Sequence, residues 1–430
     1  GIGSMGKNHV RNLRAIDGVD LVAIADASGK DPFGVAGDLP ILPDVDAVIE
    51  GKPDGRDVRL DPTILAEGTY RHVTVTSTGE VTFTGNAVVQ GVLRIQAGGV
   101  MHENCGVLNG PGSFVLEAGA TLYVCHAQGI STTGSSGGIR LTGSRSFSED
   151  ASYVYNGSPG QVTGPGLPTQ VFSLTASTGA SLNLSRSVSV SRLLHLNSSS
   201  LLLNNNNLTL LSSASGTAYV VNTGAGQVLL TGSGRATMQR YVRPSTSYRG
   251  PGYRHYSSPV TQARVSNLTA QPGSFVPLVN PAYNALPTPN LPLAQFPNVF
   301  DYQESRLTAT YPGFDTGWHS PSATSDVLTP GKGYTVNIAP QLVDLSGVLN
   351  NGPVPTGALT HGGTANSGWQ LLGNPYPAPL DWSLVTGLPA GVDASVYVFE
   401  PSSQYGGFYR SFVNGMGTNT FNGVLPAMQA

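Results

Sequence analysis

The sequence predicts a mainly β protein: a parallel β-solenoid of about 20 residues per coil, then a β-sandwich-like module, behind a short α/β segment. Three observations carry that expectation. Apolar residues recur at offsets of 19 to 21 residues through the middle of the chain. Charged residues make up only 11% of the 430, well under the roughly 25% of an ordinary soluble domain. The first 50 residues differ in character from everything after them.

The repeat begins near residue 60. Val73, Thr74 and Val75, with Val81, match Leu93, Arg94 and Ile95, with Met101. These in turn match Phe114, Val115 and Leu116, with Leu122, at offsets of 20 and 21 residues. Gly79, Gly99 and Ala120 hold equivalent places, and Gln96-Ala97-Gly98-Gly99 recurs as Glu117-Ala118-Gly119-Ala120. Apolar and polar residues alternate within each unit, the period of a half-buried strand. One unit cannot bury its inward face, whereas stacked units share a core and pair their edges. A stack also explains the low charge, because like charges on adjacent coils sit about 4.8 Å apart and repel.

Coils are expected over 51–145 and again over 146–240, with the pattern interrupted across a Gly/Ser/Pro-rich interval at about 131–168. In the second block Leu182 and Leu184 recur as Leu201 and Leu203, and Val188 and Val190 as Leu208 and Leu210. Asn204 to Asn207 form a run expected at a coil corner, since Asn tolerates the left-handed conformation. A ligand site there is the alternative. From 241 to 430 the repeat fades and aromatics and prolines rise. Tyr334 to Ile338 and Ser395 to Phe399 read as strands between turns such as Pro330-Gly331, which suggests the sandwich-like module. This module is expected to be cut short at its C-terminal end.

Charge and composition exclude several functions. A net charge of −3 gives no electrostatic case for nucleic acid. Residues 151–300 hold no Asp or Glu, so that stretch supplies neither the paired acids of a glycosidase nor acidic calcium ligands. No apolar run is long enough for a transmembrane helix. No catalytic residue and no metal site is assigned.

Three constellations remain. Cys105 and Cys125, with His102 and His126 nearby, leave three readings open: free buried thiols, a disulfide between stacked coils, or zinc. At an offset of 21, Cys105 lies level with His126 and not with Cys125, so a bridge needs a bulge or corner. Trp369, Tyr376 and Trp382 are candidates for stacking on sugar rings, against the alternative that they fill the module's core. Arg240, Arg243, Arg249 and Arg254 form a tyrosine-interleaved basic stretch, expected to be a solvated face or, alternatively, a site for acidic glycans. Pro330-Gly331-Lys332-Gly333-Tyr334 lacks the spacing of a phosphate loop and reads as a turn entering a strand.

At the N-terminus Gly1-Ile2-Gly3-Ser4-Met5-Gly6 fits the G-x-G-x-x-G dinucleotide fingerprint, with Asp26 following 20 residues after Gly6. A helical spacing at Val10, Leu13 and Ile16 and apolar runs at 19–25 and 45–49 complete a Rossmann-like reading of residues 1–50. Gly3-Ser4-Met5-Gly6-Lys7-Asn8-His9 and Val22-Ala23-Ile24-Ala25-Asp26 resemble the opening of the glucose–fructose oxidoreductase and inositol dehydrogenase family. That resemblance implies NAD(P) held by Gly1, Gly3, Gly6 and Asp26. The strand before Gly1 and the family's catalytic domain are missing, so a truncated segment is expected, with no cofactor for the chain as a whole.

The body resembles a different group. Arg254-His255-Tyr256-Ser257-Ser258-Pro259-Val260 and Trp369-Gln370-Leu371-Leu372-Gly373-Asn374-Pro375-Tyr376-Pro377, followed by Asp381-Trp382, are similar to Bacteroidota surface proteins exported by the type IX secretion system. The resemblance covers about residues 60–430 and implies an extracellular or outer-cell-surface location. The expected function is a structural or adhesive repeat protein without catalytic activity. A carbohydrate-binding surface protein is the first alternative, and the remnant of an NAD(P)-dependent sugar oxidoreductase is the second. Partners are expected to be glycans or other surface proteins.

Overall fold

The computed structural model describes residues 24–25, 28, 30–31, 33–37, 39, 41–42, 56–60, 63–244, 248–269, 275–287 and 292–430. The chain is mainly β, 38% strand and 5% helix, and its body is a β-solenoid of about seven turns. Alternation in the sequence sets the three faces of the coil. On one face Gly68–Val75, Val92–Ile95, Ser113–Leu116 and Arg145–Phe147 pair in parallel. On the next run Glu80–Phe83, Val100–His102, Thr121–Val124, Ser152–Tyr155, Gln170–Ala176 and Val188–Leu196. A shorter third face holds Gln161–Val162, Ser181–Asn183, Ser200–Leu202 and Val228–Leu229.

The repeat in the sequence is the register of the sheet. Val73 faces Leu93, which faces Phe114. Val81 faces Met101, which faces Leu122. Leu182 faces Leu201, and Val188 and Val190 face Leu208 and Leu210. These side chains point inward and are fully or almost fully buried, while their polar neighbours face out. Each buried aliphatic of this kind contributes roughly 1.5–3 kcal/mol of transfer free energy. Rows that continue from coil to coil make one core out of units too thin to have their own.

The stack does not break at the Gly/Ser/Pro-rich interval. Leu122 and Val124 face Tyr153 and Tyr155, at an offset of 31 residues, because a loop of extra residues is inserted after Val124. Both tyrosines are buried, and their hydroxyls donate to the carbonyls of Ser148 and Thr163 at 2.7 Å. The alternation Ser152-Tyr153-Val154-Tyr155 therefore supplies a coil inside polar text. The Asn run forms the expected corner, with Asn204 and Asn205 at φ of 48° and 65°. Its amides tie neighbouring coils together: Asn206 Nδ2 donates to Leu184 O, and Asn207 Oδ1 accepts from Arg235 N–H.

At the far end of the stack, Ala236–Tyr241 pairs antiparallel with Leu342–Leu349, which pairs antiparallel with Val260–Thr261. A strand from the C-terminal region thus closes the last coil's edge. That region is antiparallel. Gly252–Tyr256, Tyr334–Ile338, Val299–Tyr302 and Trp318–His319 form one sheet. Ser395–Pro401 and Gly407–Val413 form a hairpin extended by Met416–Gly417. The strands expected at 334–338 and 395–399 are both present. The hairpin has a small core of its own around Val398, Phe412, Phe421 and Leu425.

Near the N-terminus Ile24–Ala25 pairs in parallel with Ile41–Leu42, over a cluster of Ile24, Val35 and Ala36. The apolar run expected as a strand at 45–49 lies outside the described residues. Among the described residues no helix is long and apolar enough to cross a membrane.

Candidate functional site

Gly1, Gly3, Gly6 and Asp26, the expected cofactor ligands, lie outside the described residues. Cys105 and Cys125 are joined in a disulfide, with Cα atoms 4.7 Å apart. The one-residue mismatch is taken up at a corner, where Asn104 and Cys105 have φ of 46° and 56°. Two successive left-handed residues turn the chain back and bring Cys105 level with Cys125. The two histidines have other partners. His102 Nε2 lies 2.6 Å from Glu80 Oε1, and its ring stacks on Tyr123. His126 Nε2 lies 3.1 Å from an Arg140 guanidinium nitrogen, a cation where the zinc reading needs a metal.

Beside the disulfide sits a residue that the sequence reading passed over. Glu103 follows His102 on a row where Phe83, Val124 and Tyr155 fill the core. It is 2% exposed. Its Oε2 accepts the backbone N–H groups of Cys125 and His126, each at 2.8 Å. Burial pushes its carboxyl up to about 7, against the opposing pull of those N–H groups and the Arg140 charge. A side chain at position 138 would overlap the carboxylate, so the close approach of Gly138 depends on its being glycine. Buried Arg145 holds the same inserted loop from the other side, donating to the carbonyls of Leu141, Ser131 and Gly134. Both side chains are spent on backbone, an arrangement that pins a loop.

Trp369, Tyr376 and Trp382 have three different settings. Trp369 is 51% exposed and meets Tyr397 edge-on at 5.4 Å. Tyr376 donates its hydroxyl to Gly352 O. Trp382 is partly buried against the hairpin core. The centre of their motif is Asn374, which is wholly buried and donates to the carbonyls of Ala378, Leu425 and Pro426. The basic stretch divides: Arg243 and Arg249 are exposed as a solvated face requires, Arg240 is partly buried, and Arg254 is buried and donates to Ile338 O, Gly252 O and Arg243 O. Gly331, at φ of 82°, makes the expected turn, and Lys332 then pairs with Asp301. Asp301 is buried, which works against its ionisation, but His319 at 3.1 Å and Lys332 outweigh that and hold its carboxyl below the ordinary value.

An aromatic concavity lies beside the antiparallel sheet. Strand register places His255 and Phe300 on either side of Thr335. Tyr253 and Trp318 also line the concavity. Tyr283 and Phe296, with Phe399, Tyr405 and Tyr409 of the hairpin, complete the lining. The cavity is about 200 Å³. Its lining residues carry no carboxylate, lysine or arginine. His255 is stacked on Phe399 at 5.3 Å, and burial pushes it down to about 4, so its imidazole is neutral at pH 7. Thr335 is 4% exposed, and its hydroxyl has no hydrogen-bond partner. The cleft is therefore uncharged and lined mainly by aromatic rings. Its rings come from separate segments with no common spacing, so no local pattern marks it in the sequence. No family model, curated protein or solved structure matches the chain.

Proposed function

We propose that the chain is an extracellular or cell-surface structural and adhesive repeat protein without catalytic activity, in which the solenoid is a stalk and the C-terminal antiparallel region a β-sandwich-like head. The stack of coils with hydroxyl- and amide-rich outer faces is the observation that carries this reading. Such a surface stays solvated without the like-charge ladders that acidic or basic side chains would create. The disulfide between coils suits an oxidising compartment. Similarity to type IX export substrates supports the same location.

The test is attachment. Beads coated with the full chain are expected to retain on cells or polysaccharide surfaces under flow, and to lose retention when the free chain is added as competitor. Retention equal to that of albumin-coated beads sinks the adhesive reading.

A further inference from the structure

We propose that the groove where the last coil meets the C-terminal region binds an acidic polysaccharide, with Arg235 and Arg264 pairing the carboxylate or sulfate groups of its sugars, an inference that rests on the adhesive reading and names the class of ligand.

The charge of the chain is unevenly placed. Residues 151–300 contain eight arginines, no lysine and no Asp or Glu, a formal charge of +8 in a chain whose total is −3. A local excess of one sign draws a partner of the other. The use of arginine alone narrows that partner. A guanidinium fork matches paired oxygens on a carboxylate, sulfate or phosphate, where an ammonium offers only a point charge.

The fold gathers part of this charge around a concavity. Three segments enclose it: the corner at 230–235, Ser346 and Gly347 of the closing strand, and 262–267. Gly347 lets the strands approach closely, since a Cβ there would lie 2.1 Å from Thr261 O. Arg264 Nη1 donates to Ser325 O, which fixes the guanidinium and leaves the rest of its fork for a ligand. Arg235 is exposed, and its guanidinium has no partner among the described residues. No Asp or Glu lines the concavity. Asp326, whose carbonyl accepts Val265 N–H beside Arg264, turns its carboxylate to the N–H groups of Ser322 and Ala323.

Size and polarity choose among anions. The volume is about 450 Å³, within the roughly 300–1,000 Å³ of sites that hold a whole ligand and too large for an inorganic ion alone. Gln262 and Asn267 supply amides and Ser233 a hydroxyl, groups that pair with sugar hydroxyls. No aromatic ring lines the concavity, so the bases of a nucleic acid have nothing to stack on. Leu230 is the single large apolar residue of the lining, which leaves the apolar side chains of a peptide little to bury against.

The charge also continues along the stack. Ser187 Oγ accepts from Asn207 N–H, and Asn207 Oδ1 from Arg235 N–H, so one corner carries these three residues on successive coils. Arg186 therefore stands two coils, roughly 10 Å, from the level of Arg235, a reach that suits a polymer.

The full chain is titrated by calorimetry at low salt with an oligogalacturonate, with chondroitin sulfate and with a neutral galactan. At least one acidic probe is expected to bind, the two arms telling carboxylate from sulfate ester, and the galactan is not. Arg235→Gln and Arg264→Gln should each weaken binding about tenfold, the worth of one charge-assisted pair. Arg249→Gln, at an exposed arginine outside the concavity, should bind as wild type. All three side chains are exposed, so thermal unfolding should match wild type.

Binding of neither acidic probe overturns the proposal. So does a loss in Arg249→Gln equal to that in Arg235→Gln, the mark of diffuse attraction. So does displacement of the bound probe by single-stranded DNA, polyglutamate or sodium sulfate at the charge concentration that the free oligosaccharide needs. Failure of the adhesive reading is separable. Solution binding that Arg235→Gln weakens, with no bead retention by wild type, keeps the site and removes the adhesive role. Bead retention with neither acidic probe bound keeps adhesion and removes this ligand.

Discussion

The solenoid and the C-terminal region solve the same problem by opposite means. In the solenoid every contact is one of a series: Val81, Met101, Leu122 and Tyr153 occupy one row on successive coils. In the C-terminal region each contact occurs once. Asn374 draws three carbonyls together, and Asp301 sets His319 against Lys332. In a series, a lesion in one member passes to the neighbours on both sides. A unique contact has no substitute, but it can hold a shape, such as a cleft, that repetition does not generate.

The largest expected effect contrasts the two cores. Leu122→Ala should cost about 2–5 kcal/mol by denaturant unfolding, and hydrogen exchange should rise in the coils on both sides. Phe412→Ala removes more hydrocarbon, yet the hairpin core is separate from the main one. Its exchange should rise over 395–417 while the coils keep their protection. Spread of the Phe412→Ala lesion into the stack would erase the distinction.

Next is the disulfide. Its 20-residue separation in sequence predicts a loss of roughly 3 kcal/mol on reduction, felt by the coils and not by the hairpin. Comparing exchange with and without reductant measures this directly.

The two regions should also respond to pH with opposite signs. Glu103 is raised from an ordinary 4.5 to about 7, so between those values the folded chain holds a proton that the unfolded chain releases. Stability from this group is full below about 4.5 and falls as pH rises towards 7, by on the order of 3 kcal/mol. Asp301 is held low by His319 and Lys332, so its contribution is present above the ordinary carboxylate range and lost as pH falls below it. Protection factors across the coils, with the intrinsic pH dependence of exchange removed, should therefore fall from pH 5 to 8, and Glu103→Gln should flatten that response. Protection factors around Asp301 should fall only in acid. A common pH profile for both sites would contradict these assignments.

The smallest effect expected is that of Trp369→Ala. The ring is half exposed and touches Tyr397 edge-on, so thermal unfolding should shift by no more than roughly 1 kcal/mol.

What was legible in the sequence follows the same division. Rows of the solenoid were readable because each position is written several times, and register follows once two copies are aligned. Ser152 to Tyr155 was missed because an inserted loop changed the offset to 31. Glu103 was missed because His102-Glu103-Asn104-Cys105 looks like an outward polar run; only its distances of 20 and 21 from Phe83 and Val124 mark the position as inward. The cysteines stayed open because strand geometry alone opposes the bridge, and the left-handed pair that permits it leaves no signal beyond an Asn. In the C-terminal region individual strands such as Tyr334–Ile338 were visible from alternation and turn residues. Their assembly was not. Trp369, Tyr376 and Trp382 stood out by residue type, while the cleft is built from residues as far apart as Tyr253 and Tyr409 that only the topology brings together.

The strand that closes the last coil has a consequence for the order of events. Thr237 and Ser346, whose hydroxyls meet across that junction, are 109 residues apart in sequence. A chain that emerges from its N-terminal side can lay down one coil upon another as it appears, each edge covered by the next. The final edge, at Ala236–Tyr241, has no such successor. It stays open until more than a hundred further residues have arrived and folded back. In that interval it can recruit the wrong strand, including the same edge of a second molecule, so the slow and vulnerable stage of maturation lies at this junction.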